Sequence, residues 1–207
     1  AKWYALRAVQ GLSTDRQADA RIALDCTARA LDREPDNSFA LAMEGFVHCH
    51  LTYDFDSGDA RLQDALRINP SETFAHLFRG VVQGLVGDWS GGLAHFASAS
   101  CTSPLDPARY LFDSIGAYLC LGAGRHDEAL DLARRSLRAN RHHAHTWRVM
   151  AIAQAETGDL DNARQSLRRV MSLQPELTVH GYLAGRPDDP TRQRFAAALQ
   201  RAGLPMR

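Results

Sequence analysis

The 207-residue chain carries nine histidines and four cysteines, the side chains best suited to metal or nucleophilic chemistry. His48 and His50 lie two apart in a segment of helical pattern, so they point to different faces and cannot close on one ion. His142, His143 and His145 cluster where a helix is predicted to begin. His142 and His145 can share a face, but no cysteine or carboxylate stands at ligand spacing, and neither HExxH nor CxxC occurs. These three are expected to be solvated and neutral near pH 7, because a helix N-terminus disfavours added positive charge. Cys26, Cys49, Cys101 and Cys120 each fall inside a helical pattern and are expected to be free, partly buried thiols. No metal site is expected.

Other constellations also lack the partners that chemistry needs. Gly87-Asp88-Trp89-Ser90-Gly91-Gly92 is rich in glycine, yet no Gly-Lys-Ser/Thr follows and no strand precedes it. It reads as a turn between helices. Asp127-Glu128 and Asp188-Asp189 fit a helix start and a loop. Arg134, Arg135, Arg138 and Arg141, with Arg164, Arg168 and Arg169 further on, form basic runs that acids elsewhere offset. The 24 Lys+Arg against 24 Asp+Glu give zero formal net charge, which argues against a nucleic-acid-binding surface. No apolar run reaches the roughly 18 residues that span a bilayer. No catalytic residue and no cofactor are assigned, and a cytoplasmic location is expected. The N-terminus shows no signal-peptide pattern and no initiator Met, so a piece of a longer protein is expected.

The elements that hold these residues are read from periodicity. Apolar residues recur at i, i+3, i+4 and i+7 almost throughout, with no strand-like alternation. Pro35-Asp36-Asn37, Pro70-Ser71, Gly87-Asp88, Gly124-Arg125 and Gly158-Asp159 punctuate the helices. The intervals repeat: Pro70 to Pro104 and Arg141 to Pro175 are each 34 residues, Pro35 to Pro70 is 35 and Pro104 to Arg141 is 37. The last two imply small insertions. Ahead of each slot lies a helix with small residues on one stripe, for example Ala163, Leu167 and Val170 before Pro175. Small residues let two helices approach, and proline stops the second. Gly45, Gly80, Ala117 and Ala151 are the matching small residues of the preceding helices.

This pattern resembles the tetratricopeptide repeat (TPR), in which W-x2-L-G-x2-Y is followed by A-x3-F and P. The repeat ending at Pro175 matches best, through Trp147, Ala151, Gly158, Ala163 and Pro175, followed by that with Gly80, Gly87, Phe96, Ala99 and Pro104. The resemblance covers roughly residues 2–176, and the first repeat is degenerate. It implies an all-α fold, a right-handed α-solenoid of about five TPR-like helix pairs over residues 1–176. Residues 177–207 add a loop at 185–190 and a capping helix from Thr191 to Ala202, stopped by Gly203.

The resemblance also implies a site. In TPR arrays the first helix of each pair lines a groove, and the second forms the outer wall that here carries the arginine runs. The groove positions in this sequence are Phe39 and Phe46 in one repeat, then Phe74, Leu77 and Val81. Leu111, Ser114 and Tyr118 follow, then His145, Arg148 and Ile152. This apolar, aromatic lining fits a protein or peptide segment and lacks the Lys/Asn/Arg set that grips a C-terminal carboxylate. Ser103–Pro107, Ser136–Arg141 and Ala198–Pro205 are similar to segments in C-terminal TPR regions of bacterial signalling proteins. Some of those carry winged-helix DNA-binding domains, and others carry class III adenylate/guanylate cyclase domains. The resemblance implies a protein-interaction, regulatory region of a bacterial transcriptional regulator. The alternatives are a cyclase tail and a self-associating scaffold. Binding of nucleic acid or membrane by this region is not expected.

Overall fold

A computed structural model describes residues 1–9, 13, 15–103, 105–184 and 188–207. Pro104 and residues 185–187 of the expected C-terminal loop lie outside the described residues. Among the described residues every regular element is helical, as the 3.6-residue period predicts.

Two compact units divide the chain, Ala1–Asp106 and Pro107–Arg207. This division falls inside the repeat array, whereas the sequence suggested one at residue 176. The first unit holds three helix pairs. They are α1 (Lys2–Val9) with α2 (Arg16–Leu31), α3 (Ser38–Val47) with α4 (Phe55–Ile68), and α5 (Thr73–Leu85) with α6 (Trp89–Thr102). The second unit pairs α7 (Arg109–Gly122) with α8 (His126–Ala139), and α9 (Ala144–Glu156) with α10 (Leu160–Leu173). Short α11 (Val179–Leu183) and α12 (Pro190–Arg201) follow.

The period is kept by the second helices. α4, α6, α8 and α10 are each 14 residues long. They start 34, 37 and 34 residues apart. The other irregular interval, between Pro35 and Pro70, is resolved at the end of α3. There the helix passes into one π turn, His48–Thr52, the form a helix takes around a single inserted residue. Tyr53 follows with φ 58. It occupies the left-handed turn position that Gly87, Gly124 and Gly158 take in later pairs, at φ 88, 75 and 86. Asp54, Asp88 and Asp159 come next and accept the backbone N–H three residues on. Each such cap contributes about 1 kcal/mol to the helix it starts.

Within pairs, the small-residue stripe does what its composition predicts. Gly45 of α3 and Gly58 of α4 bring the backbones together. A Cβ on Gly45 would lie 2.7 Å from Leu62 Cγ and 2.8 Å from the Gly58 carbonyl oxygen. Gly80 and Gly92, Ala117 and Ala129, and Ala151 and Ala163 are buried at the matching places. Around these contacts the first unit buries Met43, Val47, Leu62, Leu77 and Phe78, and the second buries Phe112, Leu119, Ile152, Val170 and Leu199. Each such side chain stabilises its unit by about 1.5–3 kcal/mol.

Candidate partner-binding surface

In the first unit the predicted wall residues come from α3 and α5. They form an aromatic row. Phe39 meets Phe74 edge-on at 5.8 Å, and Phe74 lies 5.8 Å from Phe78. Phe78 stacks on Phe46 at 4.0 Å, and Phe46 reaches His50 at 4.4 Å. His50 Nδ1 donates to the Phe46 carbonyl at 3.2 Å, and burial pushes its pKa down to about 4. The ring is therefore a neutral member of the row. The sequence reading missed Phe78 and His50, although the i, i+4 spacing of Phe74 with Phe78 and of Phe46 with His50 carried the signal.

Phe46, Phe74, Leu77 and Val81 are buried, and Phe39 alone is exposed, at 42%. Part of the reason is α1. It takes the first-helix place of the leading pair and packs on α2, and it also meets α3 and the π turn. Its N-terminus leans past α3, so that the Lys2 ammonium lies 4.4 Å from the centre of the Phe74 ring. At its other end Arg7 Nε donates to Asp19 at 3.1 Å, and a second guanidinium nitrogen donates to the same carboxylate. Asp19 is 1% exposed. The guanidinium holds its carboxyl below the usual carboxylate range.

The second unit repeats the arrangement with α12. Leu111, Ser114 and Ile152 are buried, while Tyr118, His145 and Arg148 are half-buried. α12 packs against α9, and its Phe195 meets Tyr118 of α7. Arg194 donates to the Leu121 carbonyl at 3.1 Å, and Arg201 donates to the Ala155 carbonyl at 3.4 Å. These carbonyls lie at the C-terminal ends of α7 and α9, where a cation is favoured. Seven residues of helix span about 10 Å, close to the spacing of two packed helices, so one face of α12 bridges both ends. Arg194 also pairs with Glu156 at 2.9 Å. Arg148 lies over the Tyr182 ring of α11, 5.5 Å from its centre. The C-terminal helix thus packs across the first helices of both pairs in its unit, α7 and α9.

Other residues singled out in the sequence take mostly structural places. His143 is buried rather than solvated, and burial pushes its pKa down to about 4. Its Nδ1 donates to Thr146 Oγ1 at 2.8 Å, Thr146 donates to Ser136 Oγ at 2.9 Å, and Ser136 donates to the Tyr110 carbonyl at 2.7 Å. The chain of donors requires a proton on Nδ1, and burial favours the neutral ring. Ser114 and His145 hydrogen-bond at 2.9 Å, but Ser114 is fully buried and offers no accessible nucleophile. Arg134 and Arg164 pair locally with Asp131 and Asp161. Arg135 instead crosses to the buried Asp113 of α7 at 2.9 Å. Cys49 and Cys120 are buried, Cys101 is exposed, and all four cysteines are free. Among the described residues no group of three or more His, Cys, Asp or Glu side chains is placed to hold a metal. No described helix is long and apolar enough to cross a membrane.

The tetratricopeptide repeat family model matches residues 121–184, from the end of α7 to just past α11. No curated protein matches the chain. Solved structures do. PilW, a widely conserved type IV pilus biogenesis factor, is 21% identical over 90% of this chain and 84% of its own, with a TM-score of 0.66. PilF of Pseudomonas aeruginosa is 17% identical over 97% of this chain and 90% of its own, at 0.64. YrrB, a TPR protein with an unusual peptide-binding site, is 15% identical over 87% of this chain and 92% of its own, at 0.55. The fold is a TPR-type α-solenoid. At these identities the likeness defines the fold alone.

Proposed function

We propose that the chain is a non-catalytic protein-interaction module whose inner walls bind helical segments. The observation that supports this reading is that one helical segment, α12, already packs across the first helices of two pairs, against α9 and against Tyr118 of α7. Phe39, Phe46, Phe74, Leu77 and Val81 form the first wall. Leu111, Ser114, Tyr118, His145, Arg148 and Ile152 form the second. The exposed Phe39 ring is the accessible edge, and the buried residues behind it set its position. The module works without a cofactor, in the cytoplasm, and contacts neither nucleic acid nor membrane. The likeness of Ser136–Arg141 and Ala198–Pro205 to segments of bacterial regulators supports a place as the regulatory region of a transcriptional regulator. Capture of partners from the protein's own cells tests the reading. Phe39→Asp is expected to abolish capture, while Arg168→Glu on the outer face of α10 leaves it intact. The opposite pattern contradicts the inner-wall assignment.

A further inference from the structure

Among the described residues of the second unit three arginines are half-buried, Arg109, Arg148 and Arg192. An exposed arginine is solvated and needs no partner, whereas a half-buried one has part of its charge withdrawn from water. Arg109 pairs with Asp113 at 3.4 Å. Arg148 and Arg192 have no carboxylate partner among the described residues. Both lie against one ring. Tyr182 of α11 has the Arg148 guanidinium 5.5 Å and the Arg192 guanidinium 4.8 Å from its centre. The ring attracts each cation and neutralises neither. Arg192 Nε donates to the Tyr182 carbonyl at 2.6 Å, which fixes its fork. Arg148 reaches Gln174 Oε1 at 3.4 Å with one terminal nitrogen. Burial and the nearby Arg192 charge both push the Arg148 pKa down. Asp189, three residues before Arg192, is spent on capping α12, where it accepts the Thr191 and Arg192 backbone N–H groups. Arg194 and Arg201 of the same helix have structural partners, in Glu156 and the Ala155 carbonyl. Tyr182 and Arg192 also lie beyond the last repeat pair, so the repeat pattern does not account for this cluster.

We propose that Arg148 and Arg192 form a docking site for an acidic helix, one that carries two carboxylates a turn apart, at i and i+3 or i+4. This rests on the inner-wall reading above and adds the class of partner that the second wall takes. Charge complementarity argues for that occupant. Two cations held at one ring call for two negative charges, and side chains a turn apart on a helix face the same way with Cβ atoms about 5–6 Å apart. Guanidinium and carboxylate meet through paired, charge-assisted hydrogen bonds, which fix orientation as well as affinity. A helix without acids would cover both cations and leave them without counter-charge, so it is rejected.

The test selects binders of the full chain from a displayed library of short amphipathic helices, with acids, amides and apolar residues allowed at each varied position. The selected helices are expected to carry Asp or Glu at i and i+3 or i+4. A fluorescent peptide of the most enriched sequence is expected to lose at least about 10-fold in affinity, read by anisotropy, when both acids become amides. Arg148→Gln and Arg192→Gln are each expected to weaken the acidic peptide by about the same factor and to leave the amide peptide unchanged. Arg168→Gln on the outer face of α10 is expected to change neither. Helicity is checked by circular dichroism, and Arg192→Gln, in the first turn of α12, serves alone if Arg148→Gln unfolds. Selection of helices without an acidic pair, or of none, overturns the proposal. Equal binding of the acidic peptide by the unaltered chain and the Gln variants also overturns it. Either failure with Phe39-dependent capture intact leaves the inner-wall reading standing.

Discussion

Phe195 of α12 meets Tyr118 of α7 edge-on, with ring centres 6.2 Å apart and planes at 75°. The contact links the last helix to the first helix of an earlier pair, across α9. It accounts for the half-burial of Tyr118.

Phe195 is 1% exposed, and removing its ring leaves a cavity between α12 and α7. Phe195→Ala is expected to cost about 3–5 kcal/mol. Urea unfolding checks this, and a loss below about 1 kcal/mol would mean that α12 is only loosely seated.

Tyr53 stands where three other turns use glycine, and a bulky residue at positive φ is strained. Tyr53→Gly is expected to stabilise the chain by up to about 1 kcal/mol. The lost contact with Arg16, whose guanidinium lies 4.8 Å from the ring centre, reduces the gain without reversing it. A lower thermal midpoint would show that this contact outweighs the strain.

Gly45→Ala forces a Cβ against Leu62 and the Gly58 carbonyl. Overpacking of this kind is expected to cost about 1–3 kcal/mol. Gly181→Ala is the control, since its Cβ would meet only Thr178 Oγ1 at 3.3 Å. Equal thermal midpoints for the two variants would contradict the close approach of α3 and α4.

Much of the fold was legible. The proline intervals gave the period, and the small residues gave the pair contacts. The C-terminal helix was placed within one residue at each end, because Pro190 and Gly203 punctuate it. Two features were not legible, for local reasons. No glycine marks the α3–α4 turn, so the π turn and Tyr53 left only the 35-residue interval as a trace. The candidate site was legible as a row of positions but not as a surface. Burial of Phe74 beneath Lys2, and roofing of Tyr118 by Phe195, depend on where terminal helices fold back, which a local pattern does not encode. His143 was misplaced because its hydrogen-bond chain runs through Thr146 to Ser136 on the neighbouring helix α8.

Two histidines, the half-buried His50 and the buried His143, give the fold an acid sensitivity. His50 and His143 are neutral when folded, with pKa values pushed down to about 4 by burial, against an unfolded value of about 6.5. Between those values the unfolded chain binds more protons, so stability falls as pH falls. The contribution is whole above about pH 6.5 and is lost on approaching pH 4. It is about 2–3 kcal/mol per histidine at full loss. His50→Phe combined with His143→Gln is expected to flatten the stability–pH curve over this range. An unchanged slope in urea unfolding at pH 7, 6, 5 and 4 would contradict it.

The central claim is that partners enter on the inner walls. The most direct measurement is site-specific photocrosslinking in the protein's own cells, with the probe at position 39 on the inner edge or at position 168 on the outer face of α10. The account predicts adducts from position 39 and none from position 168. Adducts from position 168 alone would contradict it.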